Sequence, residues 1–131
     1  MTPRGIRNRN PGNIRHVQGV TWVGESATQA DPAFIQFDDA VYGIRAIARI
    51  IRSYERRGVR TISDAINRWA PPNENDSDAY VSAVCSACSV GPHDPVNLEI
   101  IMPRLIKAII QHENGQQPYT DDQIARGISL A

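Results

Sequence analysis

Leu105-Ile106-Lys107-Ala108-Ile109-Ile110-Gln111-His112-Glu113-Asn114-Gly115 reads as an apolar helix that ends on a carboxylate. Counting back from Glu113 in steps of three and four reaches Ile109, Ile106 and Met102, so the acid extends the core-facing stripe rather than the solvated one. Asn114-Gly115 then stops the helix, because glycine accepts the left-handed conformation that a C-terminal cap requires. A carboxyl on such a face is partly desolvated, which favours its neutral form and suits general acid chemistry. The competing reading is a frayed last turn in which Glu113 swings into water, in keeping with the rarity of buried glutamate.

Working outward, Asp94-Pro95 opens the segment that leads into this helix, and Pro103 kinks or restarts it by lacking a hydrogen-bond donor. Asp76 or Ser77 caps an earlier helix carrying Tyr80, Val81, Val84 and Cys88 as far as Gly91. Thr61-Ile62-Ser63-Asp64 has capping-box spacing, with Asp in place of the usual Glu, and opens a helix closed by Pro71-Pro72. Asp38 or Asp39 caps a helix whose stripe Ile44, Ile47, Ile51, Tyr54 faces a core and whose end is Gly58. Thr120-Asp121-Asp122-Gln123 caps a short C-terminal helix. The N-terminal third differs. Arg7-Asn8-Arg9-Asn10-Pro11-Gly12-Asn13 is a turn-rich loop. Ile14–Val17 and Val20–Val23 flank Gln18-Gly19 and predict a short β-hairpin, with Phe34–Phe37 as a third strand. The expected fold is mainly α (α+β): a helical body with a small N-terminal β-hairpin or three-stranded lobe, in one domain spanning residues 1–131.

Composition narrows the function classes. The 131-residue chain is long enough to bury a core without disulfides or metals. Its 14 basic and 14 acidic residues balance, so no overall field holds nucleic acid or an anionic membrane. Basic residues cluster locally at Arg45, Arg49, Arg52, Arg56, Arg57 and Arg60, either as a solvated helix face or as a weak anion-facing surface. No apolar run reaches the roughly 18 residues of a membrane span. The N-terminus is too polar for a signal peptide, so no export address is expected. Cys85 and Cys88 form a CxxC without a second ligand pair or a flanking strand–helix unit, and read as buried small hydrophobes. His16, His93 and His112 lack metal-ligand spacing, and no glycine-rich loop follows a strand, so no cofactor is expected.

A small β-lobe beside a helical body, with a carboxylate ending a buried helix, resembles the layout of lysozyme-like hydrolases. Such enzymes need an acid to protonate the glycosidic oxygen and a second group to stabilise or attack the sugar cation. Glu113 suits the first role; Glu25, just beyond the hairpin, is the candidate for the second, with Asp31 behind it. Trp22, Tyr80, Trp69 and Tyr42 offer stacking faces for sugars, although Trp69 reads first as a core plug. Asn10, Asn13, Asn73, Asn75 and Gln111 offer hydrogen bonds.

The segments Arg7 to Arg15, Trp22-Val23-Gly24, Tyr42-Gly43-Ile44-Arg45-Ala46, Arg68-Trp69-Ala70-Pro71-Pro72, Glu74-Asn75-Asp76, Ala79-Tyr80-Val81 and His112-Glu113-Asn114-Gly115 together resemble a known family. It comprises small phage virion or endolysin proteins of the peptidoglycan-degrading kind, often labelled structural proteins. The likeness covers nearly the whole chain. A more distant resemblance is to lytic transglycosylases and flagellar-type glucosaminidases, in which the catalytic glutamate ends an apolar helix. In the glucosaminidases an Asn-rich turn and a Trp-x-Gly follow that helix, whereas here they precede it, so the resemblance implies a circular permutation. Transglycosylases usually have Ser after the glutamate where this chain has Asn114, which leaves the product open between a reducing sugar and an anhydro-sugar.

These resemblances imply cleavage of the glycan strand of bacterial peptidoglycan by a monomer, with other virion proteins as further partners. Glu113 and Glu25 would be catalytic, and Asn10, Asn13, Trp22, Tyr80 and Asn75 would bind substrate. The protein would reside in the virion or the host cytoplasm before release and act in the periplasm or cell wall. The alternatives are a non-catalytic structural or glycan-binding protein of the same fold, and a nucleic-acid binder using the Arg45–Arg60 face.

Overall fold

Most helices begin where a side chain takes over the orphan amides of the first turn. In the computed structural model, which describes residues 1–131, these starts define an all-α chain. Its helices are α1 (Arg4–Arg7), α2 (Ala40–Arg56), α3 (Ile62–Trp69), α4 (Ser77–Cys88), α5 (Met102–Asn114) and α6 (Asp121–Ser129). Asp39 accepts from the Val41 amide, Thr61 from Asp64, Asp76 from Ala79 and Thr120 from Gln123. Only the α6 box is reciprocal, with Gln123 accepting from the Thr120 amide; Asp64 of α3 pairs instead with Arg68. Pro103 stands at the start of α5, where its missing N–H is not needed, so it opens the helix rather than kinking it. The ends obey the same local logic. Gly58 and Gly115 take positive φ of 86° and 72°, while α4 stops at Ser89 (φ 57°), two residues short of Gly91.

The helices meet around a cluster of 26 buried residues, to which α2 through α6 and the N-terminal Ile14, Ile35 and Phe37 all contribute. Gly127 of α6 lies so close to α2 that an added Cβ would come within 2.4 Å of Ile44 Cγ2. Cys85 and Cys88 are buried free thiols of α4, and burial pushes both thiols up from their ordinary pKa. On α2, Arg45 donates to the Leu130 carbonyl and Arg52 to the Ala131 carbonyl and Glu99, while Arg49 and Arg56, and Arg57 and Arg60 beyond its end, are exposed. No helix is long and apolar enough to cross a membrane.

The β-lobe expected from the sequence is absent: no strands form, neither a hairpin nor a three-stranded sheet. Gln18-Gly19 does turn the chain, with Gly19 at φ 79° and the Val20 amide bonded to the Val17 carbonyl at 3.0 Å. Its two arms do not pair. Ile14–His16 instead runs antiparallel to Ala33–Ile35, joined by Ile35 N to Ile14 O at 3.0 Å and His16 N to Ala33 O at 3.1 Å. A second isolated pairing joins Glu25 to Phe37. Val17, Val20 and Val23 are exposed, so the alternation that suggests a strand has no core to face. Side-chain amides replace the missing ladder. Asn10, fully buried, donates to the Ile14 and Ile35 carbonyls at 2.9 Å each and accepts from the Ile14 amide at 3.0 Å. Gln29 and Gln36 do the same for the outer turn, Gln29 bonding both polar groups of the Gln36 backbone.

Candidate active site

The last turn of α5 carries Glu113 directly beyond Ile109, Ile106 and Met102, all at most 1% exposed. Glu113 itself is half-buried, and each carboxylate oxygen has one donor. Asn13 Nδ2 reaches Oε1 at 3.0 Å, and the Tyr80 hydroxyl reaches Oε2 at 2.8 Å. No cation pairs with it; the four ion pairs of the structure lie elsewhere.

Both donors are held firmly. Tyr80 is 2% exposed on α4, and its ring lies 3.9 Å from that of His112, tilted by 31°. Burial first, and the neighbouring Glu113 second, push its phenol far above the ordinary tyrosine pKa, with the Trp69 side chain acting in the opposite sense. Tyr80 is therefore a neutral donor at all ordinary pH. Asn13 adopts a left-handed φ of 50°, a conformation its short amide side chain tolerates better than most residues. The adjoining Asn114 Nδ2 donates to the Pro11 carbonyl at 2.8 Å, which ties the end of α5 to the Asn-rich turn. The buried Oδ1 atoms of Asn13 and Asn114 have no conventional donor and converge on Gly5. A Cβ there would lie 2.8 Å and 2.5 Å from them, so glycine leaves the space in which the two amides close over α1.

Glu113 opens into a cleft of about 580 Å³. Trp22, Trp69, Tyr54 and Phe34 supply its aromatic walls, and Asn13, Asn75, Glu74 and Arg15 its polar groups. Of the site residues expected from the sequence, Glu113, Asn13, Trp22 and Asn75 line this cleft, and Tyr80 touches it through Glu113. Two others turn elsewhere. Asn10 is spent on backbone groups inside the scaffold, and Glu25 accepts from the Trp22 amide at 3.2 Å without lining the cleft. Asp31 is bound bidentately by Arg4 at 2.6 Å to each oxygen, with Asn8 and two backbone amides adding further donors. Trp69 is only partly buried and serves core and cleft together.

Four cleft residues were not among the candidate site residues read from the sequence. Tyr54 continues the core stripe of α2, Phe34 reads as a strand residue, Arg15 as one of several N-terminal arginines and Glu74 as a polar loop residue. Only the inclusion of Arg15 and Glu74 within motif-like segments pointed toward them. No group of three His, Cys, Asp or Glu side chains converges in a way that would hold a metal ion.

No family model matches the chain. It is 42% identical over 127 residues to Protein P5 of Pseudoalteromonas phage PM2, an alignment covering 95% of this chain and 79% of that protein. Identity of that extent shows that the chain belongs to the family of phage PM2 Protein P5.

Proposed function

We propose that this protein cleaves the glycan strand of bacterial peptidoglycan, as a lysozyme-like muramidase or lytic transglycosylase serving a phage as endolysin or virion-associated lysin. The observation that carries this reading is Glu113, oriented by Tyr80 and Asn13 at the mouth of an aromatic cleft. Sugars offer apolar faces and hydroxyl rims, which Trp22, Trp69 and Tyr54 with Asn13 and Asn75 complement. The Glu113 proton passes to the glycosidic oxygen as the bond from that oxygen to the anomeric carbon breaks. The resulting sugar cation then takes water, or closes on its own 6-hydroxyl, with loss of one proton in either case.

Glu74 is the other carboxylate lining the cleft, so the second acidic role passes from Glu25 to Glu74 in this scheme. Activation of water by Glu74 gives a reducing-end product. The hydrogen bond between Asn13 and Glu113, groups 100 residues apart, is also what a circularly permuted order of the glucosaminidase-type motifs requires.

The test is mass spectrometry of muropeptides released from purified peptidoglycan. The native chain releases them and Glu113→Gln does not; equal release by both refutes the acid assignment. Glu74→Gln loses the water-derived product, whereas Glu25→Gln retains it. A second reading, a non-catalytic structural or glycan-binding protein, is favoured by the engagement of both Glu113 oxygens, as in a purely structural carboxylate. Absence of release by the native chain would establish it.

A further inference from the structure

The cleft contains a single cation, Arg15, and no carboxylate of the protein pairs with it. Two guanidinium groups lie over the Phe34 ring, Arg4 with its Cζ 4.6 Å and Arg15 with its Cζ 4.8 Å from the centroid. They differ in what remains of their donors. Arg4 is committed to Asp31 through Nε and Nη2. Arg15 makes no ion pair and no side-chain hydrogen bond, and it is exposed on the cleft side. Its backbone is fixed on both sides by the Ile14 to Ile35 and His16 to Ala33 bonds, and its head is steadied by the ring. A planar fork of five donors, held in place and unpaired, suits a carboxylate.

Resting on the glycan reading above, we propose that Arg15 determines specificity by binding a substrate carboxylate, so that the cleft selects the anionic peptidoglycan strand over a neutral glycan of the same backbone. Peptidoglycan offers this group in two places, the lactyl carboxylate of a strand stripped of its peptides and the carboxylates of the stem peptide itself. Chito-oligosaccharide has neither. Glu74 in the same cleft repels such a ligand, and Arg15 is the one cation there to offset it.

The experiment is calorimetric titration of the full chain carrying Glu113→Gln, which prevents turnover, with three glycans of equal length. These are peptide-bearing strands, amidase-stripped strands that keep the lactyl carboxylate, and chito-oligosaccharide. Arg15→Gln is expected to weaken binding of the carboxylate-bearing ligand by about ten-fold or more, leave chito-oligosaccharide unchanged, and be partly restored by Arg15→Lys. Loss confined to peptide-bearing strands assigns the stem peptide, loss confined to stripped strands assigns the lactyl group, whose carboxyl is an amide while the peptide is attached, and loss for both assigns a carboxylate from either source. Equal loss for all three glycans, or none, overturns the carboxylate assignment while leaving glycan binding intact. Absence of binding to any glycan by the Arg15-containing chain overturns the glycan reading and this inference together.

Discussion

Tyr80 shows how much one side chain contributes to the site. Its hydroxyl is the donor to Glu113 Oε2, and an intramolecular hydrogen bond of this kind contributes about 0.5–1.5 kcal/mol. If that energy positions the acid, Tyr80→Phe lowers glycan cleavage by about 2–10-fold in a muropeptide-release assay, with little change in substrate affinity. Stability carries a second signature. An unfolded phenol ionises near pH 10, whereas buried Tyr80 keeps its proton, so above that pH the native state binds more protons and stability falls as pH rises. Thermal midpoints measured between about pH 9 and 11 should therefore decline more steeply for the native chain than for Tyr80→Phe.

Helices succeed or fail as elements by how closely they approach one another. Gly127 brings α6 against α2, and a Cβ would meet Ile44 Cγ2 at 2.4 Å and the Val41 carbonyl at 3.1 Å. Ile44 is fully buried, so it has no room to yield. Gly127→Ala should destabilise the protein by about 1–3 kcal/mol despite alanine's better helix propensity, measurable as a lower denaturant midpoint with unchanged slope. Caps and stops were legible at this scale because they depend on neighbours within four residues, as Thr61, Asp76, Thr120 and Gly115 illustrate. The hairpin misled for the opposite reason. Val17, Val20 and Val23 have β propensity, but a strand is stabilised by a partner and a core, and the partner of Ile14–His16 proved to lie at Ala33–Ile35.

Across the whole molecule, the N-terminal segment is anchored by polar contacts more than by its own regular structure. Arg4 and Asn8 bind Asp31, whose side chain is 9% exposed, and Asp31 in turn accepts from the Ala33 and Phe34 amides. The Arg4 hydrogen bond foremost, then the Phe34 amide and other donors, hold the Asp31 carboxyl well below the ordinary carboxylate range. The unfolded chain takes up that proton first as pH falls through about 4, so the contribution is complete above this range and is lost progressively as pH falls further toward the depressed native value. Asp31→Asn should be less stable at neutral pH and show a flatter decline in thermal midpoint from about pH 5 to 2.

What the amino-acid sequence determined by itself was the local content: the caps that open α2, α3, α4 and α6, the stop of α5 at Gly115, which face of α5 is apolar, and that Glu113 lies on it. These follow from periodicity and capping, whose interactions span a turn or less. Tertiary structure alone decided that Asn10 is scaffold, that Glu25 turns away, and that Asn13, Tyr80 and Glu113 meet at a cleft shared with Arg15 and Glu74. Those contacts join residues up to 100 positions apart, and only packing of the core around Ile44, Ile106 and Ile109 brings them within reach.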